Sequence, residues 1–216
     1  GKKIMENMVD IALAPVAVLQ HLHDAHVITD YCIGATGNVH SVCLFSEVPI
    51  EQISAVYLDD HSLTSVSLLK ILLKEYWQLS PELIPAKPGY IDQIRHDKAG
   101  LVIGDRSFVL HHKFEYCYDL SAAWKEHTGL SFVFAAWMRR KEIPADLIFE
   151  LNEALKYGIM HLDAVVAEQK TSIISKEELV EYFQHNISYD LDDEKRKALQ
   201  LFLEKMRSLH PVNLHI

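Results

Sequence analysis

The sequence predicts an α/β protein with mainly parallel strands and a helical C-terminal extension. Short Val/Ile/Leu-rich runs alternate with amphipathic helical patterns for most of the length, and past about Ser175 the strand pattern gives way to helices. With 216 residues, 49% hydrophobic and 24% charged, the chain has the composition of a folded globular protein and room for one large domain or two lobes.

Strands are expected at 9–13, 27–33, 42–45, 55–58, 101–103 and 133–137. Each is short and apolar, which suits burial on both faces by helices, and ligands of open α/β sheets sit at the strands' carboxyl ends. A helix follows Ser62, because Val66, Leu69, Leu72, Leu73 and Tyr76 recur at three- and four-residue spacings with Lys70 and Lys74 on the wetter side; it should run to about Trp77. Ser121 opens a short helix that Gly129 can stop, since glycine accepts the left-handed conformation past a helix end. Pro144 suits the first turn of a helix carrying Leu147, Ile148, Leu151 and Leu155. Ser175 with Glu178 forms a capping box before Leu179, Tyr182 and Phe183. Asp192 then begins a helix with Leu199, Phe202, Leu203 and Met206 on one face. These last helices read as structural buttresses. There is no internal repeat and no Gly/Ser linker, so any lobes are joined by ordered chain.

Composition excludes several function classes. The chain has 21 Lys plus Arg against 30 Asp plus Glu, a net charge of -9, and its longest basic run is Lys195-Arg196-Lys197. A nucleic-acid partner is not expected. The longest apolar run, 11–19, contains Pro15 and is about half the ~20 residues of a membrane-spanning helix, so no membrane partner is expected either. Gly1-Lys2-Lys3 leads into a stretch holding Glu6 and Asn7 that does not read as a signal peptide. Cys32, Cys43 and Cys117 are odd in number and lack C-x-x-C spacing, which argues against disulfide and zinc frameworks and for a reducing cytoplasm. Among 13 histidines the densest groups are His21-x-His23 and His111-His112, and neither has a zinc-site spacing such as H-E-x-x-H. No metal is expected. His61 reads as a solvated loop residue.

Three segments could carry chemistry. In 58–65 the chain passes from a strand end into a helix N-terminus, where unpaired N–H groups and the helix dipole favour an anion. Ser62, Thr64 and Ser65 add hydroxyl donors there; Ser62 as a plain helix cap is the alternative, although a cap needs one hydroxyl and three are supplied. In 101–106, Gly104 permits close approach of a ligand at a strand end, with Asp105 and Arg106 beside it. Alternatively Asp105 caps the turn and Arg106 pairs with a surface carboxylate. In 32–42, two glycines and two hydroxyls lie between apolar runs; this is either an ordinary loop or a hinge whose Asn38 and Ser41 face a ligand. No G-x-G-x-x-G, G-x-x-x-x-G-K-[ST] or G-x-S-x-G occurs.

Taken in order, Val9-Asp10-Ile11-Ala12-Leu13-Ala14-Pro15-Val16, Ile33-Gly34-Ala35, Gly37-Asn38-Val39, Ser41-Val42 and Thr64-Ser65 resemble the chorismate dehydratase family. Ile103-Gly104-Asp105-Arg106, Tyr118-Asp119-Leu120 with Trp124, and Thr128-Gly129-Leu130 with Phe132-Val133-Phe134-Ala135 continue the resemblance across nearly the whole chain. It implies a fold like the type II periplasmic binding proteins: two three-layer α/β lobes, joined by crossings near 37–42 and 132–137, that clamp a ligand in a cleft. Lobe 1 would comprise 1–40 and 133–216, and lobe 2 would comprise 41–132. It further implies a cytoplasmic hydro-lyase of the futalosine route to menaquinone, converting chorismate to 3-[(1-carboxyvinyl)oxy]benzoate and water without a cofactor.

No His/Asp or Cys/His pair stands out in the sequence as a base, so the substrate's own enolpyruvyl carboxylate is expected to take the proton while the cleft supplies position and electrostatics. Ser62, Thr64 and Ser65 would hold one carboxylate, Asn38 and Ser41 the second or the ring oxygens, and Asp105 or Arg106 would orient the leaving hydroxyl. Two departures accompany the resemblance. Ser131 stands where the family usually has proline. Family members also begin with a strand bearing Tyr-Leu-Asn, whose asparagine contacts the reacting centre; this sequence is expected to start after it, so no catalytic side chain is assigned within it. A non-catalytic small-carboxylate binding protein of the same fold and the sister naphthoate synthase type enzyme are the alternatives. A homodimer is one option for the assembly.

Overall fold

The computed structural model describes residues 1–22, 24–59, 62–169 and 173–209; His23, Asp60 and His61 lie outside them. A short helix α1 (Lys2–Met5) precedes β1 (Ile11–Pro15), a 3₁₀ turn (Val16–Gln20), β2 (His26–Ala35), β3 (Val42–Ser46) and β4 (Ala55–Leu58). Next come α2 (Leu63–Glu75), β5 (Glu82–Pro85), β6 (Lys98–Ile103), α3 (Asp105–Phe108), β7 (Tyr116–Asp119), α4 (Leu120–Thr128) and β8 (Phe132–Arg139). The chain ends with α5 (Ala145–Met160), α6 (Leu162–Glu168), α7 (Lys176–Glu181), β9 (Ser188–Asp190) and α8 (Asp193–Leu209).

Two sheets organise these elements, one in the order β1-β8-β2-β9 and the other β5-β4-β6-β3-β7. The expectation of mainly parallel strands is corrected here. Every pairing in the first sheet is antiparallel, and in the second only β4 with β5 and β4 with β6 are parallel. Connectivity is the reason: β8 returns from the second sheet and inserts between β1 and β2, opposite to both. Similarly β3 starts beside the end of β6, with Val42 opposite Ile103, and so runs against it. The uninterrupted apolar run of β3 reflects burial on both faces rather than parallel partners.

That two-sided burial separates two cores. Val42 and Leu44 point into the main one, built with Leu68, Leu69 and Leu72 of α2, Trp124 of α4, Phe132 of β8 and Phe202 of α8. Trp124, Phe132 and Phe202 pack edge to face with ring centroids 5.0–6.2 Å apart, an arrangement their quadrupoles favour, and this cluster joins the two sheets. Cys43 and Phe45 point the other way, into a smaller core with Tyr57, Tyr90, Ile94, Val102 and Leu110.

Helix ends differ from expectation in detail. Ser62 caps α2, which stops at Glu75. Asp119, not Ser121, caps α4, because its carboxylate accepts from both Ser121 N and Ala122 N, while Gly129 ends the helix at φ 75°. The Ser175–Glu178 capping box forms as the sequence pattern indicates. Pro144 occupies the N-cap of α5 rather than its first turn. The C-terminal region also holds a strand the pattern did not reveal, the three-residue β9, which pairs with the edge of β2.

Candidate functional site

Three features are linked by hydrogen bonds: the carboxyl ends of β4 and β6 through Asp59, and the N-terminus of α2 with the turn after β1 through Thr64. Ser62 Oγ accepts from Ser65 N at 3.2 Å and from Ser65 Oγ at 3.0 Å, so the first turn of α2 is closed by its own hydroxyls. Thr64 is fully buried, and its Oγ1 accepts from Ala17 N at 3.1 Å. That bond ties α2 to the 3₁₀ turn after β1.

Asp59, the residue after β4, has no solvent exposure. Its Oδ2 receives the Arg106 guanidinium, lies 3.1 Å from the Tyr90 hydroxyl and accepts from Ile103 N at 3.4 Å. Sequence reasoning left Arg106 between a surface partner and a ligand; its partner is instead this buried carboxylate. The Arg106 side chain remains 40% exposed and, with Lys87, lines a cavity of about 440 Å³ along the 86–91 segment. Asp59 was missed as a site residue. The usable signal was an aspartate directly after a buried strand, with an arginine at the end of a second one.

The other candidates lie apart from this group. Ser41 Oγ accepts from the Tyr182 hydroxyl at 2.9 Å, and Ser41 O accepts from Gly104 N at 2.8 Å. Asp105 is exposed and lines a small cavity of about 140 Å³ with Phe108, Leu179 and Tyr182. Burial pushes the Tyr182 phenol up, opposed by its hydrogen bond to Ser41. Asn38 lines a third, open groove of about 450 Å³ along β7 and α4, together with His40, Trp77, His111, Cys117 and Asp119. In that groove Asp119 Oδ2 accepts from Val39 N at 2.8 Å and His40 N at 2.7 Å, fixing the crossing segment. Burial raises the Asp119 carboxyl above its usual range, and these N–H donors pull in the opposite direction. Among the described residues, the group with metal-ligand chemistry is Cys43, His111 and Cys117.

A sequence profile of a family described as menaquinone biosynthesis matches residues 2–208. The chain belongs to that family. One relative, a chorismate dehydratase from Thermus thermophilus, is 28% identical over 207 residues, covering 87% of this chain and 76% of its own length. Solved structures share the fold. Protein AF1704 from Archaeoglobus fulgidus superposes with a TM-score of 0.72 at 15% identity, over 96% of this chain and 81% of that one. The alkanesulfonate-binding protein SsuA from Xanthomonas axonopodis pv. citri, bound to MOPS, gives 0.61 at 12% identity, over 94% and 78%. The chain thus has the two-lobe α/β fold of these solved structures, and among the described residues no helix is long and apolar enough to cross a membrane.

Proposed function

We propose that this chain acts as a chorismate dehydratase, a hydro-lyase that converts chorismate to 3-[(1-carboxyvinyl)oxy]benzoate and water in menaquinone biosynthesis. Beyond the family and the Thermus relative, one geometric observation carries the reading. The N-terminus of α2 follows β4, which runs parallel to β6, and Thr64 ties it to the 3₁₀ turn after β1. A helix N-terminus in that position favours an anion between the lobes.

Chorismate is a dianion and the protein carries a net charge of -9, so local donors must hold it against the overall field. One substrate carboxylate meets the α2 N-terminus, where the Ser62 and Ser65 hydroxyls turn from each other to the ligand while Thr64, bonded to Ala17 N, holds the turn in place. The substrate's enolpyruvyl carboxylate takes the ring C3 proton, the C3–H electron pair becomes the new ring double bond, the C4–O bond breaks, and the departing hydroxide takes that same proton from the carboxylic acid to leave as water, which restores the carboxylate. Arg106, held by Asp59 yet partly exposed, lies on the side of the leaving hydroxyl. Asn38, Ser41 and Asp105 carry no step. Lobe 1 (1–40 and 133–216) and lobe 2 (41–132) close over the ligand, so the chain supplies orientation and electrostatics rather than a side-chain base. The same reading places the enzyme in the cytoplasm, in keeping with three free cysteines.

Incubating the chain with chorismate and following the aromatic product by absorbance tests the activity; chorismate bound but recovered intact would make it a binding protein instead. The double variant Thr64→Ala, Ser65→Ala should weaken chorismate affinity about ten- to a hundredfold, the loss of hydrogen bonds to a charged group worth ~1.5–3 kcal/mol. Unchanged affinity would remove the anion pocket.

A further inference from the structure

We propose that Cys43, His111 and Cys117 form a zinc(II) site on the second lobe, distinct from the chorismate site and independent of that reading. The three residues come from β3, from the loop after α3 and from β7, and their ligand atoms all lie within 4.8 Å of one another. In a tetrahedral zinc site with two thiolates and one imidazole, the sulfurs stand about 3.8 Å apart and sulfur and nitrogen about 3.6 Å apart, as follows from Zn–S and Zn–N bond lengths. Cys117 Sγ is 3.4 Å from His111 Nδ1, so that edge of the tetrahedron is already formed.

The histidine is also prepared for ligation. His111 Nε2 lies 2.8 Å from the carbonyl oxygen of His40, which can only accept, so Nε2 carries the ring proton. The Nδ1 lone pair is then aimed at Cys117. A ligating histidine whose other nitrogen donates to a backbone carbonyl is the usual outer-shell arrangement of protein zinc sites. Ring contacts hold the imidazole in place: His111 packs edge-on against Phe45 at 5.3 Å and against His40 at 5.5 Å.

The sheet fixes the two sulfurs. Cys43 pairs with Asp119 and Phe45 with Cys117, which puts the cysteines diagonally on one face of the β3–β7 ladder. Access is graded from the buried Cys43 through the half-buried His111 to the exposed Cys117. His111 and Cys117 form part of the wall of the 450 Å³ groove, so an ion can enter from solvent and keep a fourth position open to water. Because Asp119 and the His40 carbonyl lie in the surrounding shell, bound zinc would also brace the crossing segment that Asp119 holds.

Cobalt(II) and zinc(II) binding to the tag-free chain, kept reduced with a phosphine, tests the site. The expected result is one cobalt per chain with a thiolate-to-cobalt absorption band that zinc abolishes. Changing an outer-shell residue alone costs 10- to 100-fold in metal affinity, so Cys117→Ser and His111→Ala should each lower zinc affinity at least about a hundredfold. Cys32→Ser, on β2, should leave it unchanged. Cys117 is exposed, so circular dichroism of Cys117→Ser should match the parent chain. Cobalt binding without the sulfur band, or zinc binding that survives Cys117→Ser, overturns the proposal. A Cys43–Cys117 disulfide formed in air, with no metal capacity in the reduced chain, overturns it as well.

Discussion

Replacing Arg106 with alanine would strip the buried Asp59 carboxylate of its cation while leaving the acid in place. Breaking fully buried pairs costs about 3–5 kcal/mol, but the guanidinium is 40% exposed, so Arg106→Ala should cost about 1–3 kcal/mol in urea denaturation. A variant as stable as the parent would show that solvent replaces the cation. Glu194 makes a second residue-scale case. Its Oε1 accepts from Ser131 Oγ at 2.8 Å, Ser131 N at 3.0 Å and Lys125 Nζ at 3.0 Å. The Ser131 hydroxyl, then Lys125 and the Ser131 N–H, hold its carboxyl at about 2 against an ordinary value of 4.5. A depressed folded-state pKa stabilises above the unfolded value, so this contribution is complete above pH 4.5 and is lost as pH falls toward 2. Urea midpoints of Glu194→Gln and the parent should therefore differ at neutral pH and converge near pH 2. A proline at position 131 would have no N–H to give Glu194.

At the scale of elements, Gly34 lies where strands β2, β8 and β9 approach closely. A Cβ there would meet Phe132 O of β8 at 2.7 Å and Ser188 O of β9 at 3.3 Å. Backbone cannot give way as a side chain can, so Gly34→Ala should destabilise the first sheet by about 1–3 kcal/mol, read as a lowered urea midpoint. An unchanged midpoint would mean that both β8 and β9 draw back to admit the methyl group. Periodicity made α2 legible, an unbroken apolar run marked β4, and the Ser175 capping box follows local chemistry that holds wherever it packs. Short strands without such a run were not legible. β5, β7 and β9 span four, four and three residues, too few for alternation to register, and each is a strand only because a neighbouring strand supplies its hydrogen bonds.

For the whole molecule, ligand binding and stability are linked. If chorismate binds only the folded two-lobe form, then at ~100 times its dissociation constant it should raise the unfolding free energy by about 2.7 kcal/mol. Thermal melts with and without chorismate check this; no shift at saturation would mean that the lobes do not hold the ligand. The double variant at 64 and 65 should lose most of the gain. By itself the sequence determined the α/β class, the main helices and strands, and the net acidic charge, because hydropathy period, capping chemistry and charge act over a few residues. It also marked Ser62, Thr64 and Ser65 as a helix start rich in hydroxyls. Tertiary structure alone decided strand direction, the Arg106–Asp59 pair, the Thr64–Ala17 tie between α2 and the turn after β1, and the meeting of Cys43, His111 and Cys117. Each of these joins residues from separate elements, and such distances are set by how the sheets are connected and packed, which local pattern does not encode.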